Sequence, residues 1–164
     1  MSRHFSRREF LGAAGAATLL PAITRGQRSP EKHEFPYVDG LCLYVLDKPE
    51  EIRASGLDGL VLDVSGGEAV KQPDGSPRYL RTFKTTSANM AAAREFLSKV
   101  TDAFIATDGK EIKKAFKSKK TAIFFQVQGG GEIVGEDLTR LDQLQKNGLR
   151  VFQLTHHHDN PLAG

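Results

Sequence analysis

Four short, almost wholly apolar runs constrain this chain more than any other feature: residues 38–46 (VDGLCLYVL), 57–64 (LDGLVLDV), 121–127 (TAIFFQV) and 151–154 (VFQL). Each is bounded by Gly, Pro or charged residues and lacks the strict apolar–polar alternation of a strand with one wet face. Such runs read as strands buried on both faces, the usual condition of a parallel sheet.

The segments between them carry helical spacing. Residues 88–106 place Ala92, Phe96, Val100 and Ala103 three or four apart, with Thr86 or Ser87 as the N-cap. Residues 108–117 predict a shorter basic helix with Ile112, Ala115 and Phe116 inward, and 136–147 an amphipathic one through Leu138, Leu141 and Leu144. Gly148 stands where a helix ends in the left-handed conformation. Residues 66–77, rich in Gly, Pro and charge, read as an exposed loop. The order strand, strand, helix, helix, strand, helix, strand is that of an α/β protein with a parallel sheet.

Ahead of this body, Ser6-Arg7-Arg8-Glu9-Phe10-Leu11 precedes a mostly apolar run that ends at Ile23. This is the pattern of a twin-arginine signal peptide, expected to span residues 1–28 and to deliver the protein to the periplasm or another extracytoplasmic space. About 13 residues are too few to span a hydrocarbon core roughly 30 Å thick, so no stable membrane anchor is expected. Residues 29–36 read as a linker and 37–164 as one domain.

Of 23 Lys and Arg against 20 Asp and Glu, five bases and one acid lie in residues 1–28, so the body carries 18 bases and 19 acids. A near-neutral body offers no basic patch for nucleic acid. Cys42 is the only cysteine, so no internal disulfide forms and the fold must hold by packing.

If the sheet is barrel-like, its chemistry sits at the C-terminal ends of the strands. Those ends are residues 39–43, 65–68, 128–132 and 155–160. The last two stretches read Val127-Gln128-Gly129-Gly130, a helix, Gly148-Leu149-Arg150, then Leu154-Thr155-His156 and Asn160-Pro161-Leu162-Ala163-Gly164. This pattern resembles the membrane (renal) dipeptidase family of metallopeptidases, whose members carry V/I-E-G-G, G-V/M-R, L-T-H and N-x-x-A/G in that order. Asp39-Gly40 and Gly56-Leu57-Asp58-Gly59 also fall where the family has similar residues.

The resemblance implies a TIM-type (β/α)8 barrel that binds two zinc ions and hydrolyses dipeptides, with a small peptide as substrate and a homodimer left open as its assembly. About 136 residues cannot close a barrel of roughly 250, so the chain is expected to be an incomplete barrel of about four parallel strands with intervening helices. His156 matches the family's substrate-contacting histidine. The family's zinc-binding H-x-D pair corresponds to Leu41 and Leu43, and its metal-bridging glutamate to Gln128, so zinc belongs to the family while these three positions supply no ligand. The alternative implied is a non-catalytic exported barrel that binds a peptide or a cell-wall fragment.

Other residues near the ends carry weaker signals. Asp39, Asp63 and Glu132 are the carboxylates nearest the mouth and candidates for acid, base or alternative ligand, although such residues commonly hold loops. His156 and His158 would share a face in an extended segment, but a pair supplies only two of the four ligands zinc prefers. Cys42 has no histidine near it in sequence and reads as a small buried hydrophobe. Gly129-Gly130-Gly131 lacks the Lys-Ser/Thr of a phosphate loop and reads as a tight strand-to-helix turn.

Overall fold

The computed structural model describes residues 34–43, 47–156 and 160–163, all within one compact unit. The leader, residues 29–33 of the linker and His158 lie outside the described residues. In chain order the elements are β1 (Val38–Cys42), α1 (Pro49–Ser55), β2 (Gly59–Asp63), β3 (Gly67–Lys71), β4 (Pro77–Arg81), α2 (Phe83–Ser98), β5 (Ala103–Ile105), α3 (Lys110–Ser118), β6 (Thr121–Val127), α4 (Gly130–Val134), α5 (Thr139–Lys146) and β7 (Leu149–Phe152).

β6 is the centre of the sheet, and its sequence explains why. All seven of its residues are buried, as an uninterrupted TAIFFQV run requires. Successive side chains of a strand point to opposite faces. Ile123, Phe125 and Val127 enter a large core with Leu60 and Leu62 of β2, Met90, Ala93 and Leu97 of α2, Ile52 of α1 and Leu144 of α5. Ala122 and Phe124 enter a smaller one with Ala115 of α3. Cys42 is half-buried against the large core.

The large sheet is parallel throughout. β1 pairs with β2, and β2 with β6 in unbroken register from Gly59↔Ala122 to Asp63↔Gln126. The other edge of β6 is shared: β5 pairs along its first half (Ala103↔Thr121) and β7 along its second (Phe125↔Leu149, Val127↔Phe152). The first two apolar runs thus pair in parallel from Val38↔Gly59 to Cys42↔Leu62, and residues 121–127 pair in parallel with the last strand, which runs over Leu149–Phe152 rather than 151–154. The path β1, β2, β6, β7 is the four-strand succession expected of a partial barrel.

Three expectations are corrected. Residues 66–77 form no plain loop but hold most of an antiparallel hairpin, β3 with β4. Every residue of β3 is exposed, so the hairpin leaves no apolar period to read. Its turn closes through Gln72 N–H donating to the Ser76 carbonyl at 2.9 Å. The Ser76 hydroxyl, and then its N–H, hold the Asp74 carboxyl below the usual carboxylate range.

The second correction concerns the helix expected over 88–106, which runs from Phe83 to Ser98. Its N-cap is Thr82, whose hydroxyl accepts the Thr85 N–H at 3.1 Å. Of the residues that suggested its continuation, Ala103 is buried in β5 against β6, and Val100 lies between the two elements, packed against the large core. The third is that α1 and the five-residue α4 stand where no helix was expected. Gly148 follows α5 at φ +102°, as its sequence position implies. Among the described residues, no helix is long and apolar enough to cross a membrane.

Candidate active site

The C-terminal ends of β2, β6 and β7, with the hairpin that follows β2, converge on one side of the sheet. Asp63, the last residue of β2, accepts the Ser65 hydroxyl at 2.6 Å and the Ser65 N–H at 2.9 Å. Ser65 Oγ in turn accepts the Gln128 N–H at 2.7 Å. Asp63 therefore fixes a serine that ties the end of β2 to the end of β6. Val64 N–H continues the ladder to the Gln126 carbonyl at 2.9 Å.

Gly66, next along, is buried between these strands and the start of α2. Its N–H donates to Thr86 Oγ1 at 3.2 Å and its carbonyl accepts from Thr85 Oγ1 at 2.7 Å. A Cβ there would stand 2.5 Å from the Thr85 carbonyl carbon, so only glycine fits this close backbone approach.

The Gly129-Gly130-Gly131 run is a tight strand-to-helix turn for packing reasons. Gly129 has φ +68°. A Cβ on Gly130 would enter the ring of Phe152, and one on Gly131 would enter the Asn160 carboxamide. Gly130 and Gly131 donate their N–H groups to the Gln153 and Leu154 carbonyls at 2.7 and 2.9 Å, which ties α4 to the end of β7.

Glu132, on α4, is an internal clamp. Its side chain is 8% exposed and accepts Arg78 Nη2 at 3.3 Å on one oxygen. The other oxygen accepts the Arg81 backbone N–H at 3.2 Å. The hairpin is thereby bolted to the mouth. From the same residue, the Arg81 guanidinium reaches His156 Nδ1 at 2.7 Å. Arg78, Arg81, Phe83, Glu132, Arg140 and Asn160 line an open cavity of about 400 Å³ beside this pair. Arg140 sits 5.6 Å over the Phe83 ring.

Of the remaining described candidates, only Gln128 joins the strand-end contacts, through its N–H to Ser65. Asp39 lies in β1, where its carboxylate accepts the Leu41 N–H at 3.0 Å. Leu41 and Leu43 are 52% and 72% exposed, and Gln128 is buried. Among the described residues, no group of three or more His, Cys, Asp or Glu is placed to hold a metal ion. Arg78, Arg81 and Arg140 escape a sequence reading, because nothing local announces that residues 51 to 75 positions apart will meet.

The family model for membrane dipeptidase (peptidase family M19) matches residues 50–164. No curated protein matches the chain significantly in sequence. Among solved structures, an amidohydrolase from Pseudomonas aeruginosa superimposes with a TM-score of 0.60 at 20% identity, over 76% of this chain and 35% of that one. The probable dipeptidase PvdM from the same organism gives 0.60 at 16% identity, over 79% and 36%. A metallo peptidase from Rhodobacter sphaeroides, liganded with a phosphinate mimic of the dipeptide L-Ala-D-Ala, gives 0.58 at 14%, over 77% and 47%. The chain spans less than half the length of each.

Proposed function

This chain belongs to the membrane dipeptidase family, and from that premise we propose that the whole protein is a hydrolase of small peptides in which this segment supplies substrate contacts rather than metal ligands. The observation that carries the reading is His156, which ends the strand path at the mouth and is held there by Arg81. The family resemblance gives that histidine the substrate-contacting role. Arg78, Arg81 and Arg140 line the neighbouring cavity; Arg78 is paired with Glu132 and Arg140 with Asp137, so one positive charge remains in excess, that of Arg81, suited to the free carboxylate every small peptide carries.

The residues present do not fit a two-zinc centre. Leu41 and Leu43 have no donor atom. Gln128 has the reach of glutamate without the negative charge that two adjacent dications need. Glu132 and Asp63 are already engaged as clamps. These same positions favour a second reading, a non-catalytic barrel that binds a peptide or cell-wall fragment at the same mouth.

Titration of the chain with L-alanyl-L-alanine, followed on the His156 imidazole resonances, tests the shared part. A saturable shift is expected, and its absence overturns both readings. Hydrolysis of the dipeptide by the complete gene product then supports the enzyme, and binding without hydrolysis supports the binder.

We also propose export through the twin-arginine pathway, on the strength of Arg7-Arg8 and the apolar run behind them. Replacing both arginines by lysine should leave the protein in the cytoplasm. Unchanged appearance in the periplasmic fraction would sink this proposal.

A further inference from the structure

The contact between Arg81 and His156 fixes more than a position. A guanidinium carries only N–H donors, whereas a neutral imidazole has one donor and one acceptor nitrogen. At 2.7 Å from Arg81 Nη2, His156 Nδ1 must accept. Its proton therefore sits on Nε2, at the ring edge away from the guanidinium. An imidazolium would turn a second N–H toward Arg81 and break the bond.

Arg81 is itself immobilised along its length. Its backbone N–H is held by the nearly buried Glu132 carboxylate, which is also paired with Arg78. Its stem crosses Gly129, where a Cβ would stand 3.0 Å from Arg81 Cδ. The next residue, Thr82, caps α2 and pins the backbone on that side. The hydrogen bond to His156 is thus presented by a preorganised arm.

We propose that Arg81 is a positioning residue that locks His156 as a neutral imidazole protonated at Nε2, making it a hydrogen-bond donor of fixed direction at the mouth. The acceptor it serves, a carbonyl or carboxylate oxygen of a small peptide, rests on the function proposed above. The locked tautomer does not.

Long-range proton–nitrogen NMR of the 164-residue chain labelled at histidine reads this directly. At neutral pH, His156 should show a pyridine-type Nδ1 and a pyrrole-type Nε2. In Arg81→Met the two resonances should move toward the average of exchanging tautomers, and in Arg81→Lys, whose ammonium carries donors only, most of the wild-type pattern should return. A pyrrole-type Nδ1 in the wild type, or identical wild-type and Arg81→Met spectra, overturns the proposal. If Arg81→Met does not fold, the wild-type and Arg81→Lys spectra still decide it. Losing the oriented bond should also weaken dipeptide binding about tenfold, the worth of one well-made hydrogen bond. A locked tautomer with no response to dipeptide refutes the peptide reading alone.

Discussion

After purification and dialysis, the 164-residue chain should contain no stoichiometric zinc and should hydrolyse no dipeptide, even with zinc added to the assay. Zinc takes four ligands drawn from thiolate, imidazole and carboxylate, and a catalytic site needs at least three from the protein. At the end of β1 and just beyond it, the two positions that the resemblance matches to zinc ligands hold Leu41 and Leu43, aliphatic and more than half exposed. At the end of β6, Gln128 is buried and neutral. The carboxylates that might substitute have other occupations: Asp39 on the Leu41 N–H, Asp63 on Ser65, and Glu132 between Arg78 and Arg81. Loss of a single group that merely orients a ligand weakens metal binding roughly 10 to 100-fold, and three missing ligands exceed that by far. Metal analysis paired with a hydrolysis assay decides the matter. Zinc at one or two equivalents, with turnover, would mean that the carboxylates and the histidines of residues 156–158 assemble a centre by moving out of the contacts described.

Phe125→Ala should be the most damaging single truncation in the domain. Phe125 is fully buried on β6, between the pairing edges of β2 and β7 and packed into the large core. Removing an aromatic ring from such a place costs about 3–5 kcal/mol, a large share of the roughly 5–15 kcal/mol that holds a typical domain. Urea unfolding should show the midpoint dropping with little change in slope. Leu138→Ala is the matched control: Leu138 is 60% exposed, and its loss should change stability by no more than about 0.5 kcal/mol. A Phe125→Ala midpoint indistinguishable from that of Leu138→Ala would contradict the packing described for β6.

The buried parallel strands were legible because burial on both faces leaves an unbroken apolar signature, clearest in residues 121–127. The hairpin was not, since Gly67–Lys71 is exposed throughout and offers no apolar period to signal its pairing with Pro77–Arg81. The helix after it starts five residues earlier than expected because Thr82, Thr85, Thr86 and Ser87 are all hydroxyl residues that could cap it, and only the geometry at Thr82 makes the cap. At the mouth, His156 could be read from its motif. Its fixing by Arg81 could not, because the two are 75 positions apart. Asp63 ends β2 and Glu132 stands on α4, but their engagement with Ser65 and with the hairpin arginines depends on chain paths that local sequence does not encode.

The sharing of β6 among three partners also bears on how the chain finds its structure. β5 and β7 reach β6 from nearby in sequence, as the pairs Ala103↔Thr121 and Phe125↔Leu149 show, whereas Gly59↔Ala122 closes a far longer span. Loop closure exacts entropy before distant contacts reward it. The segment from β5 to β7 can therefore condense first, as two adjoining strand–helix–strand units around one common strand. β2 then docks onto a template already formed, bringing β1 and the hairpin with it. On that route the arm that ends in Arg81 arrives last at the mouth, so the final assembly step and the fixing of His156 are one event.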